Sequence, residues 1–286
     1  MTAGSDDYVA RLRGCGYEPR FLDDGTPCSV IERGAATAPV FVASIPKAGT
    51  YLAAELLSAL GVRSARLHVD DGWASDFRDY RDGTPMWKYQ FEMPVADALG
   101  LVQPGQFAVG HLPCTPAVVR ALDGFSRIFI FRELRHAFVS WARFVIAERM
   151  DGDAAEAART IADGPGRVRW VLGRRSSGWL VPTCREMVGW RQEPGVLPLR
   201  YEDLAGSHGG AAQADTVAGL AKHLGLPADP SSLRDATQRS VDALGRGARS
   251  LVPRRGRAGS QSRARLRRRL TAATGQARSA SIRRHQ

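Results

Sequence analysis

Four short apolar runs punctuate the chain, and each is followed by a segment of helical periodicity. Val40-Phe41-Val42-Ala43-Ser44-Ile45 has the length and β-branched content of a buried strand, and Pro46 closes it. Leu52, Leu56, Leu57 and Leu60 then fall on one side of a helix over residues 51–60, with Gly61 placed to end it. Phe107-Ala108-Val109-Gly110 predicts a second strand, running into His111-Leu112-Pro113. A helix over residues 115–122 follows, with Pro116 in its first turn. Arg127-Ile128-Phe129-Ile130-Phe131 predicts the third strand, and a helix over residues 136–149 comes after Arg132-Glu133-Leu134-Arg135. The fourth strand covers residues 196–200, ahead of Tyr201-Glu202-Asp203-Leu204 and a helix over residues 211–224. Continuous apolar strands alternating with helices predict an α/β fold, a mainly parallel central sheet flanked by helices.

Between these units the pattern is weaker. Residues 1–38 read as a lead-in with a turn at Asp23-Asp24-Gly25-Thr26-Pro27. Residues 64–94 mix aromatic and polar side chains, either as walls of a pocket or as a loop packed on the body. Residues 151–165 read as acidic helix and turn, residues 166–178 as an Arg- and Gly-bearing loop, and residues 184–192 as a short helix holding Trp190. From about Gly245 the chain is rich in Arg, Gly, Ser and Ala and lacks the apolar face of a core element. The expected organisation is a lead-in over 1–38, one domain over 39–270 and a basic tail over 271–286.

Composition adds constraints. With 286 residues and 44% hydrophobic content the chain can bury a substantial core. Its net charge of +11 is concentrated in the arginines after Gly245, on a body closer to neutral. Such a tail suits nucleic acid, anionic lipid or an acidic small molecule. The cysteines at 15, 28, 114 and 184 have neither metal-site spacing nor the density of a disulfide framework, which predicts free thiols. The polar opening of the chain is no secretion signal, and no run reaches the roughly 18 apolar residues of a membrane span. The expected compartment is the cytoplasm.

The candidate chemistry begins at Pro46-Lys47-Ala48-Gly49-Thr50. A loop between a buried strand and a helix can aim several backbone N–H groups at one anion. Gly49 allows close approach, Lys47 supplies a mobile charge, and Thr50 a hydroxyl at the helix start. The order of Lys and Gly is the reverse of the nucleotide-hydrolysing motif, which disfavours a generic kinase or nucleotide hydrolase. His111, close to Pro113, reads on its own as a structural histidine, although histidine has the near-neutral basicity of a general base.

Taken in order, these segments resemble the PAPS-dependent sulfotransferases of the cytosolic type, over residues 40–270. Ile45-Pro46-Lys47-Ala48-Gly49-Thr50 is similar to their 5′-phosphosulfate loop, with Tyr51 and Leu52 where a Trp is common. The stretch from Phe131 to Ser140 resembles the segment that holds the 3′ phosphate, with Glu133 and His136 at positions where the family has Asp or Asn and Asp. Gly110-His111-Leu112-Pro113 resembles the segment of the catalytic histidine, with Val109 in place of the Lys of some relatives. Leu199 to Leu204 resembles the R-Y-E-D-L segment, where Tyr201 lies toward the adenine and Glu202 and Asp203 orient basic residues. Trp190 fits the family's Trp ahead of that strand, read here as structural. Arg254-Arg255-Gly256 resembles the late loop that folds over the 3′ phosphate, with Gln261 in place of its Trp.

The resemblance implies a nucleoside-triphosphate-hydrolase-like phosphate-loop architecture. It also implies 3′-phosphoadenosine 5′-phosphosulfate (PAPS) as donor and adenosine 3′,5′-bisphosphate as product, without a metal. Lys47, Ala48, Gly49, Thr50, Tyr51, Arg132, Ser140, Tyr201, Arg254, Arg255 and Gly256 would hold the donor, and Lys47 and His111 would assist transfer. The acceptor is expected to be a small molecule bound near Tyr80, Trp87, Tyr89 and Phe144, or an anionic one met by Arg169, Arg174 and Arg175. Three alternatives stay open: a nucleotide-dependent kinase with an atypical loop, a noncatalytic nucleic-acid binder acting through the tail, and a family member that binds the donor without transfer. Nucleic acid is the less expected partner, and the sequence does not specify an oligomeric state.

Overall fold

The structure, a computed structural model, describes residues 3–79, 89–148, 156, 158, 160–161, 163–174, 177–227 and 229–250. Each of the four apolar runs is a strand: β3 (Val40–Ser44), β7 (Gln106–Gly110), β8 (Ser126–Phe131) and β9 (Val196–Arg200). Ahead of them stand α1 (Ala3–Gly14) and a small hairpin of β1 (Arg20–Phe21) and β2 (Pro27–Cys28). Between β3 and β7 come α2 (Thr50–Ala59), β4 (Arg63–Asp70), β5 (Trp73–Asp76), β6 (Gln90–Glu92) and α3 (Val95–Gly100).

Among the described residues one sheet has seven strands in the order β6-β5-β4-β7-β3-β8-β9. The five from β4 to β9 run parallel, and β5 and β6 add an antiparallel edge. Every residue of β3 and of β7 is buried, as expected of central strands covered on both faces. This is the α/β architecture that the apolar runs predict. The C-terminal ends of β3, β7 and β8 lie side by side, so residues distant in sequence emerge at one edge.

The helices bury their apolar stripes on this sheet. Leu52, Ala53, Leu56 and Leu57 of α2 join the core, and Gly61 follows with φ 87°. α4 (Pro116–Ala121) begins as predicted, with Thr115 accepting from the Val118 N–H and Pro116 at the first turn. α5 (Leu134–Glu148) contributes Trp141, Ala142 and Val145. α7 (Leu180–Met187) and the 3-10 turn Val188–Arg191 contribute Cys184, Met187 and Trp190. α8 (Tyr201–Leu204), α9 (Gly210–His223) and α10 (Pro230–Ser250) complete the described chain. Residues 1–38, read as a lead-in, place Leu12, Tyr17 and Ala36 in the same core.

Three regions differ from the reading of the sequence. Residues 63–76 are two strands: Ala65, Leu67 and Val69 point inward at alternate positions of β4, a period-two pattern that its polar residues obscure. Residues 166–172, read as part of a loop, belong instead to α6 (Gly164–Leu172), because Asp163 caps it and Pro165 occupies its first turn. No helix was expected near the start, where α1 is mostly polar and inserts Val9 and Leu12. The residues through Ala248 form one compact unit, and a second unit starts at Arg249. Arg254, Arg255 and Gly256 lie outside the described residues, as do Tyr80, Trp87 and Arg175. No described helix is long and apolar enough to cross a membrane.

Candidate active site

The loop between β3 and α2 carries two departures from ordinary backbone, one residue apart. Lys47 has φ 66°, in the left-handed region that non-glycine residues rarely adopt, and Gly49 has φ 111°. Positive φ at alternate positions is the pattern of an anion nest, although the Ala48 N–H is donated to the Ile45 carbonyl at 2.9 Å. Gly49 also caps α2 without a side-chain acceptor, so the partial positive charge of the helix start faces the same place. A Cβ on Gly49 would stand 2.5 Å from Cδ2 of Tyr201. Glycine is thus required twice here, by its φ and by the Tyr201 ring against it.

Arg132, where β8 passes into α5, completes this cradle. Its Nη1 donates to the Lys47 carbonyl at 3.3 Å, and its guanidinium lies 4.0 Å from the centre of the Tyr201 ring. Its Nε is buried without a hydrogen-bond partner among the described residues. An unsatisfied buried donor of this kind costs about 1–3 kcal/mol, more when charged, unless a ligand meets it. Lys47, Gly49, Arg132 and Tyr201 are therefore in one assembly. Ser140 is partly buried in the second turn of α5, and the ring of Tyr51 is 61% exposed beside the loop.

His111 follows directly on β7. Its Nδ1 is 2.6 Å from the Ser44 carbonyl, an acceptor, so Nδ1 carries the proton and Nε2 is the basic nitrogen. Its backbone N–H donates to Oδ1 of Asp70 at 3.0 Å. Ser44 Oγ shares a 2.6 Å hydrogen bond with the Thr50 hydroxyl and lies 3.5 Å from His111 Nδ1. The histidine is thereby tied to the anion loop through one buried serine. Burial, then the neighbouring His68 charge, push the His111 pKa from 6.5 down to about 4, against Asp70 and the Ser44 bond; Lys47 adds to the depression. The imidazole is neutral at physiological pH.

The sequence reading did not single out Ser44, His68 or Asp70. His68 stacks on Trp73, stands edge-on to His111 with ring centroids 4.9 Å apart, and has Nδ1 3.2 Å from Asp70 Oδ2. Asp70 spans both histidines; burial raises its pKa, yet the His68 contact and the His111 N–H outweigh it and the net shift is down. The signal was present as His68-Val69-Asp70, two polar residues flanking a buried valine at strand spacing. His68 also pairs in register with Val109, the position where some of the resembled enzymes have a lysine.

Supporting contacts fix the frame. Glu202 accepts from the Glu133 N–H at 3.2 Å and from Arg200 Nε at 3.2 Å, joining the ends of β8 and β9. Although burial raises the Glu202 pKa, backbone N–H groups and Arg200 bring it below the usual range. Asp203 pairs with His208 Nδ1 at 2.6 Å, away from the cradle's cations. Trp190, 1% exposed, donates from Nε1 to the Leu112 carbonyl at 2.9 Å and so pins the segment behind His111. On the open side, the Lys47 ammonium lies 3.8 Å from the centre of the Phe144 ring, which packs against Trp141. Trp141 meets Trp179 edge-on at 5.1 Å. Tyr89 precedes β6 and is partly buried, Arg169 is exposed on α6, and Arg174 stacks on Trp170 at 5.4 Å. None of these three is brought to Lys47 or His111 by a described contact. All four cysteines are unpaired, and burial raises the Cys184 pKa to about 11.

No family model matches the chain, and no curated protein matches it. Among solved structures it is similar to retinol dehydratase in complex with androsterone and inactive cofactor PAP. The identity is 17% over 84% of this chain and 78% of that one, with a TM-score of 0.44.

Proposed function

We propose that the chain transfers a sulfuryl group from 3′-phosphoadenosine 5′-phosphosulfate to a hydroxyl or amine of a small-molecule acceptor. What carries this reading is the junction of Lys47 and Arg132. Two cationic residues, 85 positions apart, meet through the Lys47 carbonyl, and Arg132 keeps a buried Nε without a partner. A donor with phosphate groups at both its 5′ and 3′ ends asks for two such cationic points. Lys47, Ala48, Gly49, Thr50 and Tyr51 are assigned to the 5′ end and Arg132 and Ser140 to the 3′ phosphate. Tyr201 lies between them, in contact with both Gly49 and Arg132. Arg254, Arg255 and Gly256 are assigned to the 3′ phosphate on sequence resemblance alone.

The donor supplies the sulfuryl group, and the chain's own residues supply position and charge. His111 Nε2 accepts the proton of the acceptor's hydroxyl or amine. The Ser44 carbonyl holds the proton on Nδ1 and keeps the ring in the tautomer this requires. A pKa near 4 keeps Nε2 unprotonated before the reactants assemble. The negative charge of the reactants then raises its basicity, since nearby anions favour imidazolium. Lys47 and the first N–H groups of α2 offset the charge that develops on the leaving phosphate. His68 stands beside Val109 and can supply a second polar group at the acceptor side. Phe144, Trp141 and Trp179 offer an apolar wall for the acceptor, and Tyr80, Trp87 and Tyr89 are assigned to it by sequence alone.

Thermal denaturation in the presence of adenosine 3′,5′-bisphosphate, ATP and adenosine 5′-phosphate tests this assignment. A bisphosphate-selective rise in the midpoint is the expected result. Equal shifts with all three, or none, would remove the donor assignment.

A further inference from the structure

A cavity of about 660 Å³ opens at the N-terminal end of β4, lined by Arg20, Arg33, Arg63, Arg66 and Arg78 with Glu32 as the one acidic residue of its lining. Six residues of strand lie between Arg63 and Asp70, roughly 20 Å at the rise of a β-strand, so this cavity is remote from His111. We infer that it is a second anion site, shaped for a small ligand bearing two or more phosphate or sulfate groups.

The floor is rigid backbone. A Cβ on Gly34 would meet Gly61 O at 2.4 Å, Arg63 N at 2.5 Å and Gly105 O at 2.6 Å, so three segments are in contact there. Gly34 N and Arg63 N both donate to Gly105 O at 3.0 Å. Arg78 is a fixed wall. It is paired with Asp76, donates to Ser29 O at 3.2 Å and Glu18 O at 2.9 Å, and lies over Tyr17. Arg66 is held in the left-handed region at φ 54°, where the β4–β7 register shifts between Ser64 and His68. An irregularity of this kind re-aims a side chain, and the strain of a non-glycine residue there is kept only where the surroundings fix it. Here the Arg66 N–H bonds to Ser64 Oγ, and Nη1 to the Arg78 carbonyl at 2.6 Å.

The remaining cations are the ones able to meet a ligand. Arg20 has only a 3.4 Å contact with the exposed Asp79. The side chains of Arg33 and Arg63 are exposed and make no hydrogen bond or ion pair among the described residues. Arginine side chains lining a cavity of this size suit planar, bidentate contacts with phosphate or sulfate esters over simple halides. The volume lies within the range of small-molecule sites. The site does not depend on the sulfuryl-transfer reading.

Hydrogen exchange of the full chain, with and without inorganic triphosphate or sucrose octasulfate, locates the contact. Slowed exchange at residues 29–34 and 61–66 is expected, unchanged in Lys47→Ala and lost in Arg33→Ala/Arg63→Ala. The double substitution should weaken calorimetric affinity by roughly tenfold or more. The stronger of the two probes distinguishes phosphate from sulfate as the natural group. Slowing confined to residues 45–52 or to the arginine-rich end, or unaltered by the double substitution, would overturn the site. Protection by an oligonucleotide but by neither small anion would overturn its assignment to a small ligand.

Discussion

The depressed basicity of His111 has a measurable consequence for stability. Its folded pKa of about 4 lies below the ordinary 6.5, chiefly through burial and the neighbouring His68. Between these values the unfolded chain binds a proton at this position that the folded chain does not. Stability therefore falls as pH drops below 6.5 and the loss levels off below about 4. Integrating the difference from about pH 7 to about pH 5 gives a contribution of about 2 kcal/mol from this one group. Other groups titrate as well, so the quantity to measure is a difference of differences. Urea denaturation of the native chain and of His111→Asn at both pH values, in buffers free of phosphate and sulfate, isolates it. Asparagine places an amide N–H close to the position of Nδ1, keeping a donor for the Ser44 carbonyl, but cannot titrate. The native chain should lose about 2 kcal/mol more than the variant on acidification. An equal loss in both proteins would refute the depressed pKa, and with it the neutral, ready base.

Two further substitutions probe the frame. Gly49→Ala should destabilise the chain by about 2 kcal/mol or more, because φ 111° is strained for alanine and its Cβ meets the Tyr201 ring. Adding Tyr201→Ala should recover only the steric part, and full recovery in denaturant melts would show that the backbone is not constrained. Trp190→Phe removes the bond to the Leu112 carbonyl and leaves a small void, which should cost about 2 kcal/mol. A loss under about 0.5 kcal/mol would show that this tryptophan does not anchor the segment behind His111.

Much of this arrangement was legible in the sequence, and the physical reason is the parallel sheet. β3, β7 and β8 are central, so both faces are buried and the strands appear as unbroken apolar runs. Lys47, His111 and Arg132 follow those runs directly, and parallel pairing carries all three to one edge. β4 and β5 were less visible because their polar positions interrupt the apolar ones, which hid His68 and Asp70. Ser44 looked like an ordinary strand end, and only the tertiary structure shows its hydroxyl against Thr50 and its carbonyl against His111. The Arg- and Gly-bearing residues 166–178 suggested a loop, yet Pro165 in a first turn behind a capping Asp163 starts a helix that runs to Leu172. The positive φ of Lys47 has no sequence signature at all, since lysine has no preference for that region.

The central claim is that one site holds anions at both ends of an adenosine nucleotide, with Arg132 reading the 3′ phosphate. Calorimetric titration of adenosine 3′,5′-bisphosphate and adenosine 5′-phosphate into the native chain and Arg132→Ala tests it most directly. A charge-assisted bond of about 1.5–3 kcal/mol predicts a preference for the bisphosphate of roughly tenfold or more in the native chain. That preference should vanish in Arg132→Ala, leaving similar weak affinity for both nucleotides. An undiminished preference in the variant, or no preference in the native chain, would contradict the two-anion site.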